Sequence, residues 1–103
     1  MALLDDVKQY LDISSHDEAN DKKIKLIIAR AKVYLCRFNP TLDDNEFEDE
    51  SALAHSLILD YCRYDFSNAA EAFPDNYRDE LHELRRAYKV KMYEQEENTV
   101  SDL

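Results

Sequence analysis

Apolar side chains return at three- and four-residue intervals in four stretches of the chain, the spacing that lines up one face of an α-helix. The first stretch, Leu3 to Leu11, carries Leu4, Val7 and Leu11 on one face. Asp5 and Asp6 sit in its first turn, where they complement the helix dipole. Ile13 and then Ser14-Ser15-His16 break the pattern. Ser15-x-x-Glu18 reads as a capping box for the second stretch, with Asn20-Asp21 as a rival start. That stretch places Ile24, Ile27, Ile28, Ala31, Tyr34, Leu35 and Phe38 on one stripe. Lys22, Lys23, Lys25, Lys32 and Arg37 lie largely off it, and Asn39-Pro40 ends it.

From Asn39 to Glu50 the chain holds six acids and no base, and reads as a loop that runs into the third stretch. The third stretch, Ser51 to Phe66, is apolar around most of its circumference. Leu53, Leu57, Tyr61 and Tyr64 mark one ridge, and Ala54, Ile58, Cys62 and Phe66 the next. Only Ser56, Asp60 and Arg63 form a narrow polar stripe, so this helix should be central and packed on several sides. Residues 67–73 connect it, with room for one helical turn, to a fourth stretch opening at Pro74-Asp75-Asn76 and extending to Glu94. Its core face is Tyr77, Leu81, Leu84, Tyr88 and Met92. The remainder, Gln-Glu-Glu-Asn-Thr-Val-Ser-Asp-Leu, is too polar to bury. The pattern predicts an all-α fold: a small antiparallel bundle of four helical segments (1–94) with a flexible acidic tail (95–103).

Composition narrows what such a bundle can do. At 103 residues the chain is one domain, and it contains no glycine. A phosphate-cradling loop, a dinucleotide fingerprint and a nucleophile elbow each need backbone torsions or close approaches that glycine supplies cheaply, so those classes are excluded. The net charge of −10 argues against binding to nucleic-acid backbones and to anionic membrane surfaces. No apolar run is long enough to span a bilayer, and the opening Met1-Ala-Leu-Leu-Asp-Asp is not a signal peptide. Cys36 and Cys62 both fall within apolar helical patterns and read as reduced core thiols rather than a disulfide.

Chemistry-bearing groups are sparse. His82-Glu83-Leu84-Arg85-Arg86 begins like a zinc-protease helix but has Arg86 where a second ligand must stand. His16, His55 and His82 fall on three different segments and read as solvated side chains. Asp43-Asp44-Asn45-Glu46-Phe47-Glu48 departs from a calcium loop at its fifth and sixth positions. Asp60 with Arg63 is the one notable charged pair, either fixing register or meeting a neighbouring subunit. No catalytic, cofactor or metal site is expected. Of the seven tyrosines, Tyr34, Tyr61 and Tyr77 read as core, as does Phe38, while Tyr10, Tyr64, Tyr88 and Tyr93 are available to an interface.

The opening Leu4-x-x-Val7-Lys8-x-Tyr10-Leu11-x-Ile13, followed by Ile24-x-x-Ile27-Ile28-x-x-Ala31-x-x-x-Leu35, resembles the small head–tail connector proteins of tailed phages. So do Leu57-Ile58-x-x-Tyr61-x-x-Tyr64-Asp65 and Phe73-Pro74-x-x-Tyr77-Arg78-x-Glu80-Leu81-x-x-Leu84-Arg85. The likeness spans roughly residues 3–93 and is nearest to the adaptor of long-tailed Bacillus phages. Many members carry a longer or glycine-containing loop after the second helix; here that loop is acidic and glycine-free.

The resemblance implies a head-completion adaptor, made in the host cytoplasm and incorporated at the head–tail interface of the virion. It implies copies arranged in a ring, twelvefold by the family's portal symmetry, under the portal protein. Such a ring extends the DNA channel, lets DNA pass without specific binding, and offers a docking surface to a stopper or tail-completion protein. No catalysis, cofactor or membrane belongs to that role. Candidate portal and subunit contacts are Tyr88, Val90, Met92, Tyr93, Val100 and Leu103, together with Asp60 and Arg63. Asp43, Asp44, Glu46, Glu48, Asp49 and Glu50 are candidates for the channel wall, where negative charge repels phosphate over about a Debye length, ~10 Å. A rival reading is an acidic helical inhibitor that imitates DNA to occupy a nucleic-acid-handling enzyme, though bases such as Lys22, Lys23, Lys25, Arg85 and Arg86 interrupt its acids.

Overall fold

A computed structural model describes residues 3–13 and 17–101, with side chains described as far as Glu94. The chain is all-α. Six helices follow one another among these residues: α1 (Leu3–Tyr10), α2 (Glu18–Cys36), α3 (Asp44–Glu48), α4 (Leu53–Phe66), α5 (Phe73–Asn76) and α6 (Arg78–Ser101). A single 3-10 turn, Ala70–Ala72, precedes α5. Helix α4 is central, as its narrow polar stripe requires: it packs against α2 most extensively and also meets α1, α3 and α6. Arg30 reaches Asp65 at 2.9 Å, and Tyr34 stacks on Tyr61 with ring centroids 4.8 Å apart, so α2 and α4 run antiparallel. Much of the core is selected by the periodicity, with Val7, Ile24, Ile27, Ala31, Leu35, Leu57, Ile58, Cys62, Leu81 and Leu84 all buried; Leu3, Leu42, Phe47 and Phe73 join it without having been selected, and the selected Leu4, Leu11, Tyr88 and Met92 are only half-buried.

Helix ends are closed without glycine. Asp17 caps α2, its side chain accepting from the Ala19 amide at 3.0 Å; Ser15 and His16 lie outside the described residues, and Asn20 is already helical. At the other end of α1, Asp12 takes a left-handed conformation (φ 60°). The amide of Ile13 donates to the Lys8 carbonyl at 2.8 Å and that of Asp12 to the Gln9 carbonyl at 3.1 Å, which is a Schellman motif. Asn68 (φ 58°) closes α4 in the same way, with Ala69 donating to Tyr64 and Asn68 to Asp65. Asp and Asn tolerate this region better than other residues bearing a Cβ, because their short polar side chains bond locally. Opposite effects are therefore expected at one position. Asn68→Ala should lower stability by about 1 kcal/mol, while Asn68→Gly should leave it unchanged or raise it by a few tenths; urea unfolding of the two variants checks the pair.

Two segments depart from the sequence reading. The acidic stretch after α2 contains α3, because Asp43 accepts from the Glu46 amide at 3.0 Å and Phe47 plugs into the core. One turn is too short for periodicity to register. The fourth segment is two helices: Pro74 sits in the first turn of α5, and Tyr77 leaves helical geometry (φ −120°, ψ 27°) before α6 begins. The face-to-face stack of Tyr77 on Phe73, 4.3 Å between centroids, holds that break. Helix α6 also runs to Ser101, beyond the expected end at Glu94. Of the segment expected to be a flexible tail, 95–103, the backbone of 95–101 continues α6, while residues 102–103 and the side chains of 95–101 lie outside the described residues.

Candidate interaction surfaces

The structure gathers six aromatic rings where α2, α4 and α5 meet. Phe73 is fully buried at the centre; Tyr34, Tyr61 and Tyr64 meet it edge-on at 5.1–6.0 Å, and Tyr77 stacks on it. Phe38 packs edge-on against Tyr34 at 5.5 Å. Tyr64, read from the sequence as available to an interface, thus belongs to the core cluster, where its hydroxyl accepts from the Asn76 side chain at 3.0 Å. Burial pushes the Tyr34 and Tyr61 phenols up from their ordinary value. Burial, reinforced by the neighbouring Asp60 carboxylate, pushes Tyr77 up to about 12.

Asp60 is a junction. It accepts a hydrogen bond from the Tyr10 hydroxyl on α1, which raises the Tyr10 phenol, and its negative charge adds to the upward push on Tyr77. Arg63 lies over the Tyr10 ring, 5.6 Å from its centroid, rather than on the Asp60 carboxylate. The two residues share one tyrosine and do not form a direct ion pair. The Lys8–Asp21 bridge, 2.8 Å with the lysine largely buried, ties α1 to α2 in a similar way.

Three of the six acids proposed for the channel wall have local partners. Asp43 caps α3, Asp44 pairs with Lys32 at 3.0 Å, and Asp49 accepts from both the amide and the hydroxyl of Ser51. The hydroxyl contact is the main reason Asp49 is held below its ordinary value. Glu46 is half-buried, and Glu48 and Glu50 are exposed beside them. His55 is a correction: it is buried against this segment rather than solvated, with Nδ1 2.7 Å from the Phe47 carbonyl. Its position between Leu53 and Leu57, one residue off both ridges, hid it from a periodicity argument. His82 is exposed, and His16 lies outside the described residues. Among the described residues no group of three or more His, Cys, Asp or Glu side chains is arranged to hold a metal ion. Cys36 and Cys62 are free thiols; burial, with Asp65 adding to it, pushes Cys62 up to about 12.

The exposed apolar surface falls on two other helices. Helix α6 has 24 residues, about 36 Å of length, yet among its described side chains, which reach Glu94, only Leu81 and Leu84 near its start are buried. It passes the C-terminal end of α2, where Arg85 lies over the Phe38 ring at 5.3 Å, and continues outward. The radius of gyration of 15.7 Å exceeds the roughly 13 Å expected for a compact chain of this length, and the long dimension is 56 Å. Of the candidate contact residues on α6, Val90 (51%) and Tyr93 (64%) are exposed and Tyr88 and Met92 are half-buried; Val100 and Leu103 lie outside the described side chains.

Sequence reasoning missed a second apolar strip, on the outer face of α2. Leu26 is 59% and Val33 61% exposed, with Ala29 between them also facing solvent. Their i, i+3, i+7 spacing was legible, opposite the stronger core stripe. Beside it, Ala29, Arg30, Val33, Tyr34, Arg37 and Tyr61 line an open groove of about 370 Å³ between α2 and α4.

Among the described residues no helix is long and apolar enough to cross a membrane. Comparison with protein-family models, with curated proteins and with solved structures finds no match for this chain.

Proposed function

We propose that the protein is a structural adaptor of the phage head–tail connector, binding under the portal ring, extending the DNA channel and presenting a surface to stopper or tail-completion proteins. The observation that carries this reading beyond the resemblance is helix α6: a long helix whose buried described side chains are Leu81 and Leu84 and which exposes Val90 and Tyr93 further along. A self-contained domain gains nothing from exposing Val90 and Tyr93 on an outward helix, whereas an assembly protein uses such an arm to reach a neighbour. The adaptor acts in the virion, at the head–tail interface, as a ring of copies completed on the portal. The acids Glu48 and Glu50, exposed beside α3, face the channel in this reading and keep DNA moving rather than bound.

Purified portal rings from tailed Bacillus phages, mixed with the chain and separated by sedimentation, test the proposal. Co-sedimentation at near one chain per portal subunit is expected, and Val90→Asp with Tyr93→Asp should weaken it at least tenfold. Failure to bind portal, together with DNA-competable binding to a nuclease, would overturn the adaptor in favour of a DNA-imitating inhibitor.

A further inference from the structure

The outer side of α2 gathers positive charge in an acidic chain. Residues 22–37 carry six bases and no acid, although the net charge of the sequence is −10. At about 100° per residue, Lys22, Leu26, Ala29 and Val33 fall on one ridge, and all four are exposed. Lys25 and Lys32 edge the ridge on one side; Arg30 and Arg37 edge it on the other, beside the groove shared with α4. Three of the six bases are engaged within the chain: Arg30 with Asp65, Lys32 with Asp44, and Lys23 over the Phe66 ring at 5.0 Å. Lys22, Lys25 and Arg37 form no ion pair among the described residues. The Arg37 charge acts on the phenols of Tyr34 and Tyr61 across the groove they line together.

An apolar crest between basic edges selects its ligand by chemistry. A nucleic-acid backbone satisfies the bases but sets hydrated phosphates against Leu26 and Val33; a wholly apolar segment does the reverse. Only a segment that carries both apolar anchors and carboxylates satisfies the two sets together. Among the described residues a second copy offers none. Val90 and Tyr93 stand among Arg86, Lys89 and Lys91, Tyr10 is held against Asp60 and Arg63, and the acidic segment around α3 keeps Leu42 and Phe47 buried. We propose that the outer face of α2 docks an acidic amphipathic helix of a different protein. Leu26 and Val33, two turns and about 10 Å apart, take anchors at i and i+7, while Lys22, Lys25 and Arg37 meet its carboxylates. The acidity of the whole chain does not forbid this contact. Charge is screened over about 8 Å at physiological salt, so a segment on the ridge meets the six local bases before the distant acids. The site lies apart from the α6 arm and goes beyond the adaptor reading.

The probe is a synthetic helical peptide of about 15 residues, the length of the ridge, with leucine at every third and fourth position and glutamate elsewhere. Two anchors and three free bases support a weak complex, with a Kd on the order of 100 µM. Two full-length variants separate the halves of the site. One carries Leu26→Ser and Val33→Ser and keeps the bases; the other carries Lys22→Glu and Lys25→Glu and keeps the crest. All four positions are exposed, so both variants should fold, which unchanged amide shifts outside α2 will verify. Two control peptides replace every leucine by serine or every glutamate by lysine.

The ¹⁵N-labelled full chain is titrated with each peptide to about 1 mM, and amide shifts are followed by NMR. Saturable shifts along 22–37 and around Tyr61 are expected with the leucine–glutamate peptide. Each variant, and each control peptide on the unaltered chain, should bind at least tenfold more weakly. No shifts, shifts centred on α6, or equal binding of the serine peptide would overturn the proposal, the last by showing a site for any anion. Tighter binding at α2 of a short DNA duplex or of phosphatidylglycerol vesicles would overturn it in favour of that ligand. Shifts on α2 when the chain is concentrated alone would overturn it in favour of a second copy. No portal is present in these titrations, so their failure leaves the adaptor reading to its own test, and failure to bind portal leaves this site intact.

Discussion

Replacing Phe73 by alanine should destabilise the protein by about 3–5 kcal/mol, the largest loss expected from any single substitution in the chain. Phe73 is fully buried, and four other rings converge on it. Truncation removes its own buried surface and leaves a cavity that rigid aromatic neighbours cannot collapse to fill. It also removes the platform on which Tyr77 stacks, and that stack holds the break between α5 and α6. Phe73→Leu, which keeps most of the volume and loses the ring contacts, should fall in between. Chemical denaturation of the three proteins, read at constant slope, checks the order. A loss below 1 kcal/mol for the alanine variant would mean the aromatic cluster is peripheral.

Alkali should unfold the protein within a narrow window. Tyr77 and Cys62 are each pushed up to about 12, and Tyr10, Tyr34 and Tyr61 are raised in the same direction. In the unfolded chain these groups ionise nearer their ordinary values, 10.0 for tyrosine and 9.0 for cysteine. Between those values and about 12 the unfolded state therefore holds fewer protons, and stability falls as pH rises. The contribution is complete below about pH 9 and disappears above pH 12. The tyrosinate absorbance of Tyr10, Tyr34, Tyr61 and Tyr77 should appear together with the loss of circular dichroism in that window, with no separate ionisation of Tyr77 beforehand. Tyr77→Phe should move the transition to higher pH, because it removes a group whose ionisation drives unfolding. Ionisation of all seven tyrosines near pH 10, with the helical signal intact, would contradict this account.

The sequence disclosed the helices whose apolar faces repeat over several turns. Ile24 through Leu35 and Leu53 through Phe66 are legible because burial on one side selects a period that no loop sustains by chance. Helix α3 is invisible to that logic: a single turn, anchored by Phe47 and capped by Asp43, carries no repeat. Tyr77 misleads in the opposite direction, since it lies in register with Leu81 and Leu84 but is drawn out of helical geometry by its stack on Phe73. Among the candidate surface residues, Val90 and Tyr93 were legible because the chain around them is too polar to support a core. Asp60 and Arg63 were legible as a pair, but their common partner, Tyr10, is fifty residues away from Asp60 in sequence and only the fold brings it there. The α2 strip was overlooked because a helix with one strong apolar stripe invites the assumption that its other face is merely solvated.

The rooting of α6 has a mechanical consequence. From Leu84, the last buried residue among the described side chains, the α6 backbone continues for about 25 Å to Ser101, with Tyr88 and Met92 half-buried along the way. A tilt of roughly 10° at the root carries the tip through about 4 Å, nearly a full helical pitch. The two leucines thus serve as a fulcrum, and small adjustments in how they seat between α4 and α5 are magnified at the far end. In the proposed ring, a lever of this kind would let identical subunits meet neighbours at slightly different spacings without deforming the bundle that holds them.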